Sequence, residues 1–314
     1  MGKGYASIDG DLAAIHFNPA GIATINRLEL NTSYTPPGYY STKGYFTFYG
    51  LGLKQSKYFQ LALSQFHFDF GKTQVLNANK TPFTERNTLT ISSEPINNLL
   101  VGINVNYFVW QPGIDKTSTT IYFDFGLIKK FNLSHTHIPQ SINLGASISN
   151  LNYSHVNATF GGITSKYNLP VITRYGANYQ LFIGRHFFPD SLHAIRLLLQ
   201  SEYQMLLNSK YRSAIKIGGE LMILEMLSIR AGYYKEKVYN YGFPDYNKSR
   251  IEDFTYGFGI QIPLYRFTKI PMNINFDYTS LPQVNYSRTL ADPDKYKTYS
   301  LRVTIVKKKA KLKP

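Results

Sequence analysis

Strict alternation of apolar and polar side chains is the feature that most constrains this chain. In residues 254–262, phenylalanine, tyrosine and isoleucine occupy every second position, and Thr255, Gly257, Gly259 and Gln261 lie between them. Because successive side chains of a β-strand point to opposite faces, this pattern predicts strands with one apolar and one polar face. The same alternation recurs in residues 101–109, 121–127, 141–149, 272–279 and 299–305.

The alternation predicts about 14 strands between residue 27 and the end of the chain. Pro112, Pro170, Pro263 and Pro271 fall at the ends of these segments, where a missing backbone N–H does not interrupt a hydrogen-bond ladder. The predicted strands are 27–34, 44–53, 57–69, 86–95, 98–110, 118–130, 141–151, 170–183, 192–204, 211–222, 227–239, 252–262, 270–280 and 297–306.

The lengths of the connections predict how these strands are arranged. Connections after odd-numbered strands are mostly long, such as 70–85 and 281–296, whereas several after even-numbered strands are short, such as 96–97 and 223–226. Outer-membrane barrels have long external loops at one end and short turns at the other, whereas a soluble β-sandwich has no reason to sort its loops in this way. Four connections depart from the rule: 131–140, 184–191, 205–210 and 263–269.

The composition is compatible with insertion into a membrane through strands. No apolar run approaches the length of about 18 residues that a transmembrane helix needs, whereas a barrel strand needs only about ten alternating residues. Aromatic residues make up 15% of the chain and cluster near strand ends, as at Tyr107, Trp110, Tyr233 and Tyr234. Girdles of aromatic residues at the two membrane interfaces would produce this clustering, and so would cross-strand pairs in a soluble sheet. We predict an all-β fold, a transmembrane antiparallel β-barrel of about 14 strands.

The first 26 residues do not alternate. Residues 9–17 can form a short helix, and Asn18 would end it because a residue before proline avoids the α region. The segment that follows, Asn18-Pro19-Ala20-Gly21, comes five residues after Ala13. This "A-x-x-x-x-NPAG" run resembles the FadL-like outer-membrane proteins, and it is most similar to the PorV/PorQ group of Bacteroidota.

Two later segments carry the same resemblance across nearly the whole chain. Residues 145–151, followed by Leu169-Pro170, Arg174, Gly176 and Tyr179, are similar to that group's "G-x-x-x-x-N-L … L-P … R-x-G-x-x-Y" stretch. Residues 218–220 and 227–233 are similar to its "G-x-E … L-x-L-R-x-G-Y" stretch, with Ile229 in place of the second leucine.

The resemblance implies that the N-terminal segment folds into the lumen as a plug containing Asn18, Pro19, Ala20 and Gly21. A barrel of this width leaves a polar interior that must be filled if it is not to leak. The alternative is a capped helical turn packed under the barrel with no gating role. The resulting division of the chain is a plug in residues 1–26, a barrel in 27–306 and a basic tail in 307–314.

The resemblance also bears on export. The first five residues lack the apolar run of a signal peptide. In the related proteins a similar Met-Gly segment lies inside the mature N-terminus, which implies an export leader upstream of Met1. The expected location is the cell outer membrane. The chain also departs from many outer-membrane barrels, which end on an aromatic residue, because its last strand runs into a lysine-rich tail.

Charged residues within the predicted strands are expected to point into the lumen, because an arginine facing the bilayer midplane costs about 2–4 kcal/mol. One interpretation is an electropositive lumen for an anionic solute or lipid head group, in a chain whose net charge is +15. The other is a set of internal salt bridges, such as Glu220 with Arg230, that bind nothing. The lumen-facing candidates are Arg174, Arg196, Arg212, Lys216, Glu220, Arg230 and Arg302.

No catalytic, metal-binding or cofactor-binding motif is recognisable. Cysteine is absent, which excludes disulfides and thiolate metal sites. The pair His135 and His137 has no acidic partner nearby, and Ser154 beside His155 lacks the context of a nucleophile elbow. No glycine-rich phosphate loop occurs. We therefore predict a protein that is not an enzyme and needs no cofactor or metal.

Three functions remain open from the sequence. The first is an outer-membrane barrel of the PorV/PorQ or FadL-like type that aids transport of hydrophobic compounds or type IX-linked protein export. Its partners would be outer-membrane lipid and a hydrophobic ligand or components of the type IX secretion system, and not nucleic acid. The second is a structural or interaction barrel whose external loops bind a surface partner. The third is a soluble basic β-protein that binds nucleic acid.

Overall fold

The structure is a computed structural model. It describes residues 4–36, 44–71, 81–112, 116–133, 138–160, 163–184, 194–207, 213–237, 250–268, 270–282 and 295–306. The predicted basic tail, 307–314, lies outside these ranges, as do Arg212, His135 and His137.

Fourteen antiparallel strands form a closed barrel, as predicted, and their ends differ from the predicted ends by only a few residues. Each barrel strand pairs with its neighbours along the chain, and pairing of Leu28 with Ile305 closes the circle. The barrel strands are β1 Leu28–Thr35, β2 Tyr45–Lys54, β3 Gln60–Asp69, β4 Phe83–Ile96, β5 Leu99–Gln111, β6 Ser118–Asn132, β7 Gln140–Ser149, β10 Ile172–Ile183, β11 Ile195–Leu206, β12 Ser213–Ile223, β13 Leu227–Lys237, β14 Arg250–Pro263, β15 Met272–Pro282 and β16 Lys295–Ile305.

The long connection between β7 and β10 contains a hairpin that was not predicted. Its strands, β8 His155–Phe160 and β9 Ile163–Asn168, pair only with each other in the sheet. The hairpin rests on the barrel through a ring contact between Tyr167 and Trp110, with centroids 5.7 Å apart. Strands of six residues show too few alternations to stand out in the sequence. One helical turn, α1 Leu264–Phe267, occupies the connection between β14 and β15, and no helix within the described ranges is long and apolar enough to cross a membrane.

The two ends of the barrel differ in their connections. Leu28 at the start of β1 pairs with Leu53 at the end of β2, so the chain enters the barrel at the end where β2 turns into β3. The short connections 97–98 and 224–226 lie at this same end. Asn98 there has a φ of 64°, a left-handed conformation that asparagine tolerates better than most residues. We call this the short-turn end and the opposite one the long-loop end.

The outer face of the barrel is apolar and the inner face is largely polar, as the alternation predicted. Ile229 and Phe258, on the outer face, are 59% and 54% exposed. Tyrosine and phenylalanine contact one another across neighbouring strands of this face, as at Tyr278 and Tyr299, whose ring centroids are 5.5 Å apart. The predicted aromatic clusters split between the faces, because Tyr107 lies outside whereas Trp110, three positions along β5, lies inside.

The apolar outer belt makes a prediction for a barrel in a lipid bilayer. We expect Ile229→Arg to lower the free energy of unfolding by about 2–4 kcal/mol, because the guanidinium would lose its hydration in hydrocarbon. Urea unfolding in phospholipid vesicles measures this change. Leu151→Arg is the control, since Leu151 is also exposed but follows the end of β7. An equal effect of the two substitutions would contradict a lipid-facing belt.

Candidate functional site

The N-terminal segment, defined as residues 4–25, lies against the inner face of the barrel. It forms two 3₁₀ helices, Leu12–His16 and Pro19–Thr24. The sequence predicted one helix over 9–17, so its start was wrong and the second helix was missed. Asn18 accepts a hydrogen bond from Ala20 N at 3.1 Å and so caps the second helix. Pro19 stands at the first helical position, where a missing N–H costs nothing.

Apolar side chains of the N-terminal segment pack against one half of the barrel wall. Leu12, Ile15, Ile22 and Ile25 form a fully buried cluster with Ala62 of β3. A second cluster joins Ala20 and Ala23 to Leu100 of β5 and Ile128 of β6. These wall residues point into the barrel. The apolar side chains of the N-terminal segment pack against them and are thereby removed from contact with water.

Asn18 links the segment to two strands at once. Its side-chain Nδ2 donates to the carbonyl of Ala6 at 2.6 Å, of Leu127 in β6 at 3.1 Å and of Ala146 in β7 at 3.3 Å. The side chain is completely buried, and a buried amide without such partners would be costly. Asn18 therefore serves both the fold of the segment and its attachment to the wall.

Three inward-facing glycines leave room for this close approach. A Cβ added at Gly102 would overlap the backbone of Pro19, and one at Gly126 would overlap the side chain of Asn18. At Gly145 it would overlap the backbone of Ala6. From the sequence, these glycines are expected to relieve curvature or crowding in the barrel strands. Here each glycine is required because another stretch of backbone or a buried amide occupies the space of its side chain.

Carboxylates of the wall bind backbone N–H groups of the segment. Glu202 Oε2 accepts hydrogen bonds from Tyr5 N at 2.7 Å and Ala6 N at 2.8 Å, and its Oε1 accepts one from Lys216 Nζ at 2.6 Å. Glu29 Oε1 accepts a hydrogen bond from Leu12 N at 2.9 Å. Both carboxylates are almost completely buried, so these bonds are shielded from competing water.

Two carboxylates of the segment bind cations of the wall in return. Asp9 Oδ2 lies 2.7 Å from Lys130 Nζ of β6, and Asp11 Oδ2 lies 3.4 Å from Arg302 Nη1 of β16. The anchoring contacts of the segment thus reach opposite parts of the barrel circumference.

Six of the seven predicted lumen-facing residues are described, and all six point inward: Arg174, Arg196, Lys216, Glu220, Arg230 and Arg302. Glu220 lies 2.5 Å from both Arg196 and Arg230, and Arg230 also pairs with Asp277. The Glu220–Arg230 pair is the one that the sequence analysis named. Arg196, Glu220, Arg230, Asp277 and Arg302 line a polar cavity of about 310 Å³ between the N-terminal segment and strands β10–β16.

Aromatic residues on the inner face near the long-loop end were missed by the sequence analysis. Phe46 and Phe68 stack with ring centroids 4.0 Å apart, and Phe66 lies 5.8 Å from Phe46. His16 of the N-terminal segment contacts Phe48 at 4.6 Å. We call Phe46, Phe48, Phe66 and Phe68 the aromatic patch. A signal exists in β3, where Gln60, Ala62 and Ser64 occupy the inward positions first and Phe66 and Phe68 occupy them later.

His16, the histidine in contact with the aromatic patch, is buried close to two guanidinium groups. Burial, together with the charges of Arg86 and Arg174, lowers the pKa of His16 well below its ordinary value. Its Nδ1 contacts Arg86 Nη2, which can only donate, so the ring proton lies on Nε2. In the described part of the chain, no three histidine, aspartate or glutamate side chains come together as metal ligands.

No protein-family model and no curated protein matches the sequence. Among solved structures, the toluene transporter TbuX of Ralstonia pickettii is similar, with a TM-score of 0.52, 10% identity, and coverage of 98% of this chain and 96% of that chain. The barrel has a FadL-like fold. The Pseudomonas putida toluene transporter TodX gives a TM-score of 0.49 at 10% identity, covering 96% of this chain and 95% of that chain. At these identities the likeness concerns the fold alone, and the PorV/PorQ resemblance stays a prediction.

The close packing of the N-terminal segment on three inward-facing glycines predicts how the segment can be displaced. We expect Gly145→Val to expel the segment, because the new side chain would overlap the backbone of Ala6. Hydrogen exchange at the amides of residues 5–24 should become about tenfold faster or more. Gly219→Val is the matched control, since Gly219 faces outward and a Cβ there meets the movable end of Leu199 at 3.2 Å. If hydrogen exchange in Gly145→Val is unchanged, the N-terminal segment does not pack against this glycine.

Proposed function

We propose that this chain is an outer-membrane barrel that passes hydrophobic compounds, with residues 4–25 as its plug. The observation that carries the proposal is the aromatic patch, which places apolar side chains on the inner face of a barrel whose interior is otherwise largely polar. The toluene transporter with the same fold supports the proposal at the level of fold.

Partway along β3 the apolar side chains switch from the outer to the inner face of the barrel, and this switch contributes two phenylalanines to the aromatic patch. Leu61 and Leu63 face outward in the half of β3 near the short-turn end, whereas Phe66 and Phe68 face inward in the other half. The outward positions beside them are polar, with Gln65 and His67. Apolar surface turned toward a lumen is unfavourable in water, and it becomes favourable when an apolar ligand covers it.

The plug lies directly next to the patch. His16 joins the two, through its ring contacts with Phe48 at 4.6 Å and Phe66 at 5.7 Å. Beyond the patch, toward the short-turn end, the plug is packed against the wall by its two apolar clusters. A ligand bound at the aromatic patch can therefore leave the lumen either past the plug, which would have to move, or through the wall beside the patch.

The outer face of the same strands favours release through the wall. A concave apolar groove of about 930 Å³ runs over β16 and β1 to β6, and its lining includes Leu30, Leu51, Leu63, Leu89 and Val105. The other way out of the lumen leads into the polar cavity, where arginine and carboxylate side chains pair. A hydrophobic molecule gains free energy in the groove and loses it among these charges.

The other functions from the sequence have less support. Type IX-linked export and the PorV/PorQ assignment remain predictions carried by the sequence resemblance. A barrel that binds a surface partner through its external loops has no specific contact in its favour, since most of those loops lie outside the described residues. Binding of nucleic acid is not favoured by an exposed outer face of leucine, isoleucine and phenylalanine. We propose no catalytic activity.

The transport proposal predicts that removing the aromatic patch slows uptake. We expect Phe66→Ser combined with Phe68→Ser to reduce the entry of toluene severalfold in Gram-negative cells that express this chain in place of their own transporter. An intracellular toluene sensor gives the rate. The control is Phe131→Ser, because Phe131 is a half-exposed residue of the outer face. Equal uptake by the double variant and the unmodified chain, at equal surface expression, would contradict the proposal.

A further inference from the structure

A lysine interrupts the apolar outer face of the barrel at the short-turn end. Lys129 of β6 points outward, because it lies two positions after the outward-facing Leu127, and it pairs with Leu99 of β5. Outward residues at the same end of other strands are apolar, as at Ile183 and Ile223. A lysine within the hydrocarbon is costly, whereas near the membrane interface its aliphatic stem can cover apolar surface while the ammonium lies among the lipid head groups.

A second lysine reaches the same place from the turn between β2 and β3. Lys57 Nζ donates to Asn97 Oδ1 at 3.2 Å, and Lys129 Nζ donates to the backbone carbonyl of Asn97 at 3.5 Å. Asn97 lies in the turn between β4 and β5, so one ammonium approaches it from the side of β3 and the other from the side of β6. Each ammonium has three N–H donors, and each of these contacts uses one. The two lysines thus flank Asn97 and keep donors for a further ligand.

The described residues provide no carboxylate within 4 Å of either ammonium. Glu94, at the end of β4, accepts a hydrogen bond from Asn98 N at 2.9 Å and so closes its own turn. Three other lysines each lie within 4 Å of a carboxylate: Lys130, Lys216 and Lys235. Lys57 and Lys129 therefore place two neighbouring positive charges, without a carboxylate partner in the described part of the chain, beside the apolar outer face.

Backbone hydrogen bonds fix the segments that carry the two lysines. Glu94 N donates to the carbonyl of Lys57 at 3.0 Å, which joins the β2–β3 turn to β4. Lys130 N donates to the carbonyl of Asn98 at 2.8 Å, which joins β6 to the β4–β5 turn. The ammonium of Lys57 also lies 4.8 Å from the ring centroid of Tyr58. Because these segments are already held together, a ligand of the two lysines does not have to order them.

An apolar strip leads from the two lysines toward the middle of the barrel wall. Beyond Lys129, the next outward pairs of β5 and β6 are Val101 with Leu127 and Ile103 with Phe125. Ile103 and Phe125 are 51% and 42% exposed. An acyl chain that lies along this strip removes apolar surface of both strands from contact with other molecules, while its polar end lies next to the lysines.

We infer that Lys57 and Lys129 bind the phosphate of an anionic phospholipid on the outer face of the barrel, with its acyl chains along the β5–β6 strip. The inference goes beyond the proposed function, because it needs a barrel in a bilayer and does not depend on what the barrel passes. Short turns of outer-membrane barrels face the periplasm, so the lipid belongs to the leaflet on that side. Phosphatidylglycerol has no cation beside its phosphate, whereas the ammonium of phosphatidylcholine would be repelled by the lysines.

A unique cysteine provides the readout. The chain contains no cysteine, so Ile96→Cys can be labelled selectively with the fluorophore bimane. Ile96 is 64% exposed and pairs with Leu99, which in turn pairs with Lys129. The labelled full chain is reconstituted in phosphatidylcholine vesicles. The two probes are phosphatidylglycerol and phosphatidylcholine that carry a nitroxide quencher near the top of one acyl chain. The mole fraction of each probe at half-quenching measures how strongly that lipid binds next to the label.

We expect phosphatidylglycerol to reach half-quenching at a mole fraction about tenfold lower than phosphatidylcholine. Lys57→Gln and Lys129→Gln should each raise the value for phosphatidylglycerol about fivefold and leave that for phosphatidylcholine unchanged, because each removes one cation near the phosphate. Lys129→Arg should retain the preference. Arg266→Gln is the matched control, since it removes a cation of the same end whose Nη2 lies 2.6 Å from Glu225. Its value for phosphatidylglycerol should not change.

Three outcomes would overturn the inference. The first is equal half-quenching by the two lipids in the chain that keeps both lysines. The second is a loss of preference in Arg266→Gln as large as in the lysine variants, which would show that phosphatidylglycerol follows the overall charge of the short-turn end. The third is an equally large loss when inorganic phosphate is added to the buffer, which would assign the lysines to soluble phosphate. None of these results bears on toluene uptake, so the transport proposal is tested separately.

Discussion

Closure of the hydrogen-bond ladder is the constraint on which the rest of this structure depends. A sheet with an apolar outer face cannot leave an open edge in lipid, because each unpaired N–H or C=O would be desolvated without a partner. The pairing of β1 with β16 removes that edge and joins the first and last strands of the barrel. The antiparallel pairing of β1 with β2 places the start of β1 at the short-turn end, and so determines where the N-terminal segment enters.

A closed barrel of fourteen strands encloses more space than its own side chains fill, and the chain fills it unevenly. On one side the N-terminal segment packs its leucine and isoleucine side chains against small or apolar wall residues, and three glycines admit its backbone. On the other side the wall carries paired charges around a polar cavity. This asymmetry leaves the aromatic patch on the inner face at the long-loop end.

Some structural elements can be predicted from short sequence patterns, because they depend only on residues that are close together in the sequence. The positions of the strands can be predicted from alternation, because side chains are apolar or polar according to whether they lie on the outer or the inner face of the barrel. The separation of long and short connections follows from the same pattern. The motif Asn18-Pro19 marks a break in helical structure, which the structure contains between its two 3₁₀ helices. By contrast, the β8–β9 hairpin and the second 3₁₀ helix are too short to have a distinguishable period.

Alternation along the chain is enough to predict about fourteen strands, each with an apolar and a polar face, and to predict that arginine and glutamate in those strands point inward. Which of the inward residues meet is a matter of tertiary structure. Glu202 binds the backbone of Tyr5, and Arg86 contacts His16, across separations of 197 and 70 residues. Such contacts depend on the register of every intervening strand, and a shift of two residues in one pair would keep the alternation while bringing different partners together. The polar face is therefore a property of each strand, whereas the candidate site is a property of the closed barrel.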